Sequence, residues 1–400
     1  MTDDHAAEWF FTDEFGSFAL PEPQRSNYLY FPLANEAGMM SAVTPSLHGD
    51  AKTGQNSYLL SPVSVEDLHN SRSARNFWLY VQGFGPWSAT GNSASQIAQT
   101  FAHEPAEHVI LEAGLLWHKV TRENQAVGLK AEITNLVPAT DDQVELMQVV
   151  ITNTGGAPLR VTPTAAIPIY GRSADNLRDH RHVTSLLHRI RTHNSGVLVQ
   201  PTLSFDERGH RPNTLTYAVV GAEGDGTPPT GFFPVLEDFI GEGGNLEWPA
   251  AVVQPDTAVM QAGAAVEGYE AFGGLRFREI TLAPGESHAY LLILAVLSSH
   301  EAVEDLLQRY RSASHFARWL EVTRAYWREA TATPTFRTGN PRFDGWMRWV
   351  AVQPTLRRVF GNSFLPYHDY GRGGRGWRDL WQDCLALLLM KPDSVHDLLY

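Results

Sequence analysis

From Asn27 to Ser298 the apolar residues fall in short alternating or β-branched runs set between turn signals. SYLLSPVSV, FWLYVQGFG, GLKAEITNLVP, VELMQVVITNTG, LRVTPTAAIPIYG and HAYLLILAVL have the two-residue period, or the compact apolar block, of strands. Asn-Thr-Gly-Gly at 153–156 and Ala-Pro-Gly-Glu at 283–286 supply turn chemistry. Strands at this spacing predict a large antiparallel sandwich rather than alternating βαβ units. The period changes at about Ser299. SSHEAVEDLLQRYRSASHFARWLEVTRAYWREA reads as helix, with Ser299 as N-cap and Glu301 in the first turn. Leu306, Tyr310, Phe316, Leu320 and Tyr326 form its apolar stripe, and Pro334 ends it. A second helical region starts near Pro341.

Composition narrows the classes. Of 400 residues, 43% are hydrophobic, enough to bury a large core. Aromatics reach 11%, with 11 tryptophans, which suits either a β core or the stacking of sugar rings. The formal net charge of −13 argues against a nucleic-acid partner. A single cysteine, Cys384, excludes an internal disulfide framework. The first residues, MTDDHAAEWFFTDEFG, have neither the basic nor the apolar region of a secretory leader. The longest apolar run, Ala289 to Leu297, is far short of the ~20 residues that span a membrane. These features predict a cytoplasmic protein with no membrane partner.

The densest chemistry lies in YHDYGRGGRGWRDLWQDCLALLLM, Tyr367 to Met390. Arg372, Arg375 and Arg378 carry forked donors suited to carboxylates, phosphates or vicinal hydroxyls. Asp379, Gln382 and Asp383 are spaced to share one face of a following helix. Together they make a plausible floor for a polyhydroxylated ligand. An ordinary capped helix whose Asp379 pairs with an arginine fits the pattern equally well. No Gly-x-x-x-x-Gly-Lys-Ser/Thr phosphate loop and no Gly-x-Ser-x-Gly elbow is present. His180, His182 and His188 offer weak metal spacing without a recurring carboxylate or cysteine, so no metal site is expected. The polar stretch 31–88 reads as loops.

Several segments resemble the inverting phosphorylases of glycoside hydrolase family 94, the cellobiose phosphorylase family. GLKAEITNLVPATDDQVELMQVVITNTGGAPLRVTPTAAIPI and ITLAPGESHAYLLILAVL are similar to its sandwich strands. AYWREATATPTFRTGNPRFDGWMRWVAVQPTLRRVF resembles its linker and first barrel helix. GRGGRGWRDLWQD is similar to the family's GRG-GFRDSNQD, with Arg-Asp-x-x-Gln-Asp as the most specific element. EAGMMSAVTPSLHGDAKTGQNS and EDLHNSRSARNFW resemble the 1,2-β-oligoglucan phosphorylase branch.

The resemblance implies a mainly β and then α architecture. It expects a β-supersandwich over 1–298, a helical linker over 299–333 and the first part of an (α/α)6 barrel over 334–400. It implies phosphorolysis of a β-glucoside or β-glucan to α-glucose 1-phosphate, with inorganic phosphate as co-substrate, no cofactor, and a homodimer. Asp379 would bind the non-reducing-end sugar with Arg378 beside it, and Arg372 or Arg375 would match a further sugar-contacting arginine. The general acid is expected in a later barrel loop, beyond Tyr400. The competing readings are a non-catalytic carbohydrate-binding module and a glycoside hydrolase of similar architecture.

Overall fold

The structure, a computed structural model, describes residues 8–26, 29–102, 106–206, 209–361, 376–393 and 395–396. Its largest element is an eleven-stranded antiparallel sheet. From one edge the strands are Phe10–Phe11, Phe18–Pro21, His108–Gly114, Trp117–Asn124, Leu129–Leu136, Val144–Asn153, Ser287–Leu297, Thr216–Glu223, Gly196–Pro201, His188–His193 and Ala265–Glu267. A second sheet is ordered Gly231–Val235, Ala271–Arg276, Leu159–Pro168, Asn76–Val81 and Gly85–Ser88, with Ile280–Leu282 also pairing to the third of these. A four-stranded meander, Phe31–Ala34, Met40–Val43, Ala51–Gly54 and Ser57–Leu60, makes a third sheet. Among the described residues the α-helices are α1 (Ala94–Phe101), α2 (Arg181–Thr184), α3 (Leu236–Ile240), α4 (Ala250–Val253), α5 (Ala302–Tyr310), α6 (Ala313–Ala330), α7 (Pro341–Phe360) and α8 (Trp377–Met390).

The apolar run at 289–297 explains the layering. Tyr290, Leu292, Leu294 and Val296 enter the core between the two larger sheets. Leu291, Ile293 and Ala295 enter a separate core with Val303, Leu306, Leu307 and Tyr310 of α5 and Phe316 of α6. A strand buried on both faces needs no polar alternation. The second sheet follows the same logic, since Phe77 and Leu79 point into the main core. Trp78 points away, into a cluster with Phe239 of α3 and Val252 of α4. The order of layers is therefore helix, sheet, sheet, helix.

The meander contributes Phe31, Leu33, Val43 and Leu59 to the main core and is tied to it by one fully buried ion pair. Arg75 Nε donates to Glu145 Oε1 at 2.6 Å, and Arg75 Nη2 donates to Oε2 at 2.8 Å. The remaining capacity is used locally. Ser41 Oγ donates to Oε2 and Asn135 Nδ2 to Oε1, while the guanidinium donates to the carbonyls of Gly49 and Asp50. Gly49 has φ +127°, and a Cβ there would come within 1.9 Å of the Ala42 carbonyl, so only glycine fits.

The structure corrects four expectations. The β region begins earlier than Asn27, with Phe10–Phe11 and Phe18–Pro21 at the edge of the large sheet. The linker is two helices rather than one. It breaks at Arg311–Ser312, where Ser312 Oγ accepts from His315 N at 3.3 Å and caps α6. The residue at the N-cap of α5 is Glu301, not Ser299. The buried residues of α6 are Phe316, Thr323 and Trp327, a stripe only partly shared with the predicted one. By contrast, α7 begins as the sequence implies, with Asn340 Oδ1 accepting from the amides of Arg342 and Phe343 and Pro341 in the first turn.

Two predictions follow from the core. Glu145→Gln leaves a buried guanidinium uncompensated and should lower stability by about 3–5 kcal/mol in urea titration. A loss within error of zero would show that the three sheets do not depend on the pair. The second concerns His118, which is fully buried against Phe31, with neither ring nitrogen bonded. Burial, and then Arg75, push its ring down to about 3. The unfolded chain binds that proton from about pH 6.5 downward, whereas the folded chain does so only near 3. Stability from this residue is therefore intact above about pH 6.5 and is lost as pH falls toward 3, by about 2 kcal/mol at pH 5. His118→Phe should flatten the fall in melting temperature between pH 6.5 and 5, and an unchanged slope would refute the assignment.

Candidate functional site

Helices α7 and α8 carry the residues singled out by the sequence. The sandwich positions α7. Trp349 packs on Phe18 and Phe31, and its indole donates to the Gly16 carbonyl at 2.8 Å. A Cβ at Gly345 would lie 2.9 Å from the Phe11 ring, so glycine permits the close approach of α7 to the edge strand. In turn α7 positions α8. Arg357 Nε donates to both carboxylate oxygens of Asp383, at 2.8 and 2.9 Å, and its Nη2 also donates to Asp383. Asp383 is buried in this contact, and its hydrogen bonds, ahead of its charge, hold the Arg357 guanidinium above its ordinary value.

A second ionic cluster fastens the far ends. Glu36, in the first turn of the meander, meets Arg358 Nη2 of α7 at 2.6 Å and Lys391, just after α8, at 3.0 Å. Burial alone would raise the Glu36 carboxyl. The bonds and charges of Lys391, Arg358 and Tyr326 outweigh that and lower it.

The predicted site residues separate on this scaffold. Asp379 sits in the first turn of α8, its carboxylate 2.8 Å from where a Cβ on Gly376 would be. It is 44% exposed and meets Arg378 Nη2 at 3.4 Å, with Arg378 itself 84% exposed. Gln382 is exposed. Asp383 is turned toward α7 rather than toward solvent with them. Arg372 and Arg375 lie outside the described residues. Arg357 was not anticipated from sequence. Its only signal was the Arg-Arg pair near the end of α7, a common helix C-terminal feature.

The remaining candidates also have definite places. The stretch 31–88 alternates short strands with longer loops, as expected in part, and its Asn35, His48, Asp50 and Arg75 in the loops and Asn76 on a strand are buried. Asn35 Nδ2 donates to the carbonyls of Pro138, Thr140 and Asp142, which joins the meander turn to the large sheet. His180 and His182 are exposed at α2, while His188 is fully buried on a strand. Among the described residues no three His, Cys, Asp or Glu side chains converge as metal ligands.

One apolar face of α8 is uncovered, with Trp377, Trp381, Leu385, Leu388 and Leu389 exposed. Phe343, Trp346 and Val350 of α7 are exposed as well. The ion pair, rather than apolar burial alone, therefore holds α8. Asp383→Ala should speed amide hydrogen exchange throughout Trp377–Met390 while leaving Ser287–Leu297 unchanged. Equal protection of α8 in variant and parent would contradict this role for the pair.

Comparison with known proteins places this architecture. The model of the glycosyl hydrolase 94 supersandwich domain matches residues 88–313, more than half of the chain. No match was found among curated proteins. Similar solved structures include a bacterial glucoamylase complexed with acarbose, with 6% identity over 85% of this chain and 38% of that chain (TM-score 0.39). Another is a family GH92 α-mannosidase from Bacteroides thetaiotaomicron in complex with mannoimidazole, with 11% identity over 82% of this chain and 38% of that chain (TM-score 0.40). A GalM/aldose epimerase homologue from C. elegans aligns at 12% identity over 67% of this chain and 98% of its own (TM-score 0.35). The chain thus spans well under half the length of the glucoamylase and the mannosidase. With its two stacked sheets and its match across 88–313, the chain belongs to the glycosyl hydrolase 94 family, which makes it part of a carbohydrate-active enzyme family.

Proposed function

We propose that this chain carries the supersandwich and the first barrel helices of an inverting glycoside phosphorylase acting on a β-glucoside or β-glucan. The observation that supports this most is the junction of a family 94 supersandwich to a helix opening with Arg-Asp-x-x-Gln-Asp. On this reading Asp379 accepts hydrogen bonds from sugar hydroxyls at the non-reducing end, and Arg378 and Gln382 flank it. Asp383 acts through Arg357, fixing the orientation of α8. Arg372 and Arg375 remain candidates for a further sugar contact. The exposed stripes of α7 and α8 are the surfaces on which further barrel helices would pack.

The chemistry follows from the nucleophile. A general acid protonates the leaving glycosidic oxygen while inorganic phosphate attacks the anomeric carbon from the opposite face, yielding α-glucose 1-phosphate. An inverting hydrolase needs a second carboxylate to activate water. Phosphate arrives as an anion and needs none. Asp379 then contributes by holding hydroxyls more tightly as the ring distorts toward the transition state. The resemblance puts the general acid in a later barrel loop and expects a homodimer.

The test is phosphate dependence. In a polypeptide with the complete barrel, glucose 1-phosphate should form from a β-glucan only when phosphate is present. Asp379→Ala should lower that rate by about two orders of magnitude with an unchanged melting temperature. Sugar release without phosphate would favour a hydrolase, and silence under both conditions a binding module. Residues 1–400 alone should give no phosphorolysis. Turnover by them would place a general acid within this segment.

A further inference from the structure

We propose that the cleft bounded by the His48 turn, the Ser71 turn and the 245–248 loop binds a hydroxyl or hydroxymethyl group of a carbohydrate, separately from α8. Its lining includes His48, Ser71, Asn76, Asn92, Leu246 and Glu247. His48, Asn76 and Asn92 are each 5% exposed, and none of their unpaired polar atoms is sealed from solvent, so each can be reached by a small polar group entering the cleft.

Half of their capacity is used by the protein. His48 Nδ1 bonds Ser46 Oγ at 2.9 Å. Asn76 Oδ1 accepts from Ser88 Oγ and Thr90 Oγ1, both at 2.8 Å. Asn92 Nδ2 donates to the Ser46 carbonyl at 2.8 Å and to Thr90 Oγ1 at 2.9 Å. The Ser46 carbonyl, which can only accept, fixes the Asn92 amide, whereas either end of the Asn76 amide can meet its two hydroxyl partners. Among the described residues, His48 Nε2, Asn76 Nδ2 and Asn92 Oδ1 have no protein partner. Ser71 donates to Glu247 Oε1, which leaves Oε2.

The unused set contains one end of the Asn76 amide, the Asn92 amide acceptor, an imidazole nitrogen and a carboxylate oxygen. Burial, and then His69 and Arg75, push the His48 ring down to about 3, so it is neutral at neutral pH. An anion would meet Glu247 with no cationic side chain lining the cleft. A group that both donates and accepts satisfies the set, and a hydroxyl does so. The enclosed space suits one group of about the size of a water molecule, so the rest of a sugar would lie outside it. Solvent water has the same chemistry, and the experiment must separate the two.

Glucose and a β-linked glucose disaccharide are titrated into the 400-residue chain without phosphate and followed by saturation-transfer NMR of the sugar protons. Saturable binding is expected, weakened about tenfold or more by Ser71→Val and by Glu247→Gln, with both variants melting as the parent does. Failure of the parent to saturate would show that the cleft holds only water and would overturn the proposal. Parent-like binding by both folded variants, or displacement of sugar by inorganic phosphate, would overturn it as well. No turnover is measured, so a negative result leaves the phosphorolysis reading untouched.

Discussion

The buried pair between Arg75 and Glu145 is the contact on which the rest of the molecule is hung. Two unpaired charges inside a sandwich would be prohibitive, and even a pair must recover the loss of its hydration. Here the pair's hydrogen bonds come from several pieces of chain: the strands holding Ser41, Asn135 and Glu145, and the turn at Gly49–Asp50. Apolar packing sets only that these sheets stack. The fan of bonds sets their register, because a strand shifted by one residue would present the wrong face to it. Its neighbour His118 shows how dry the region is, being held neutral by burial beside the guanidinium.

What could be read from the sequence depended on whether burial was periodic. The run from Ala289 to Leu297 marks a central strand, but only the structure shows its alternate residues divided between two cores. The edge strands Phe10–Phe11 and Phe18–Pro21 are too short to show a period, and their aromatic residues face α7, which is more than 300 residues away in sequence. The helix α1 was passed over inside a β region although Ser93 and Gln96 form a reciprocal capping box. The break at Arg311–Ser312 was hidden because helical spacing continues across it, with Leu306, Tyr310 and Phe316 entering one cluster.

The site was legible as a motif and illegible as a geometry. Arg-Asp-x-x-Gln-Asp marked the start of α8, yet spacing alone assigned Asp379, Gln382 and Asp383 to one function. The distinction is set by a residue on the preceding helix. Arg357 takes up Asp383 and leaves Asp379 half-exposed. A long-range ion pair has no local period, so no reading of α8 by itself could have found it. The polar stretch 31–88 was legible only in part, for the opposite reason. Its Asn35, His48 and Asp50 do lie in loops, as their composition suggests, but these loops are buried, and Asn35 bonds three backbone carbonyls of the 138–142 loop.

These contacts form a chain of reference from the core to the candidate site. Arg75 and Glu145 hold the meander against the two larger sheets. The first meander turn carries Asn35, bound to the 138–142 loop, and beside it Glu36. Glu36 reaches Arg358 on α7 and Lys391 beyond α8. One turn of the same helix presents Arg357 to Asp383 and Arg358 to Glu36, so α8 is fixed at its middle and at its end. Each link is polar and directional, whereas the outward face of α8 is apolar and uncovered. The arrangement separates two tasks: ion pairs orient the helix relative to the sandwich, and its outer apolar surface stays available for packing. Asp379 lies on the first turn of a helix fixed in this way, and its direction is inherited from the sandwich through charged contacts.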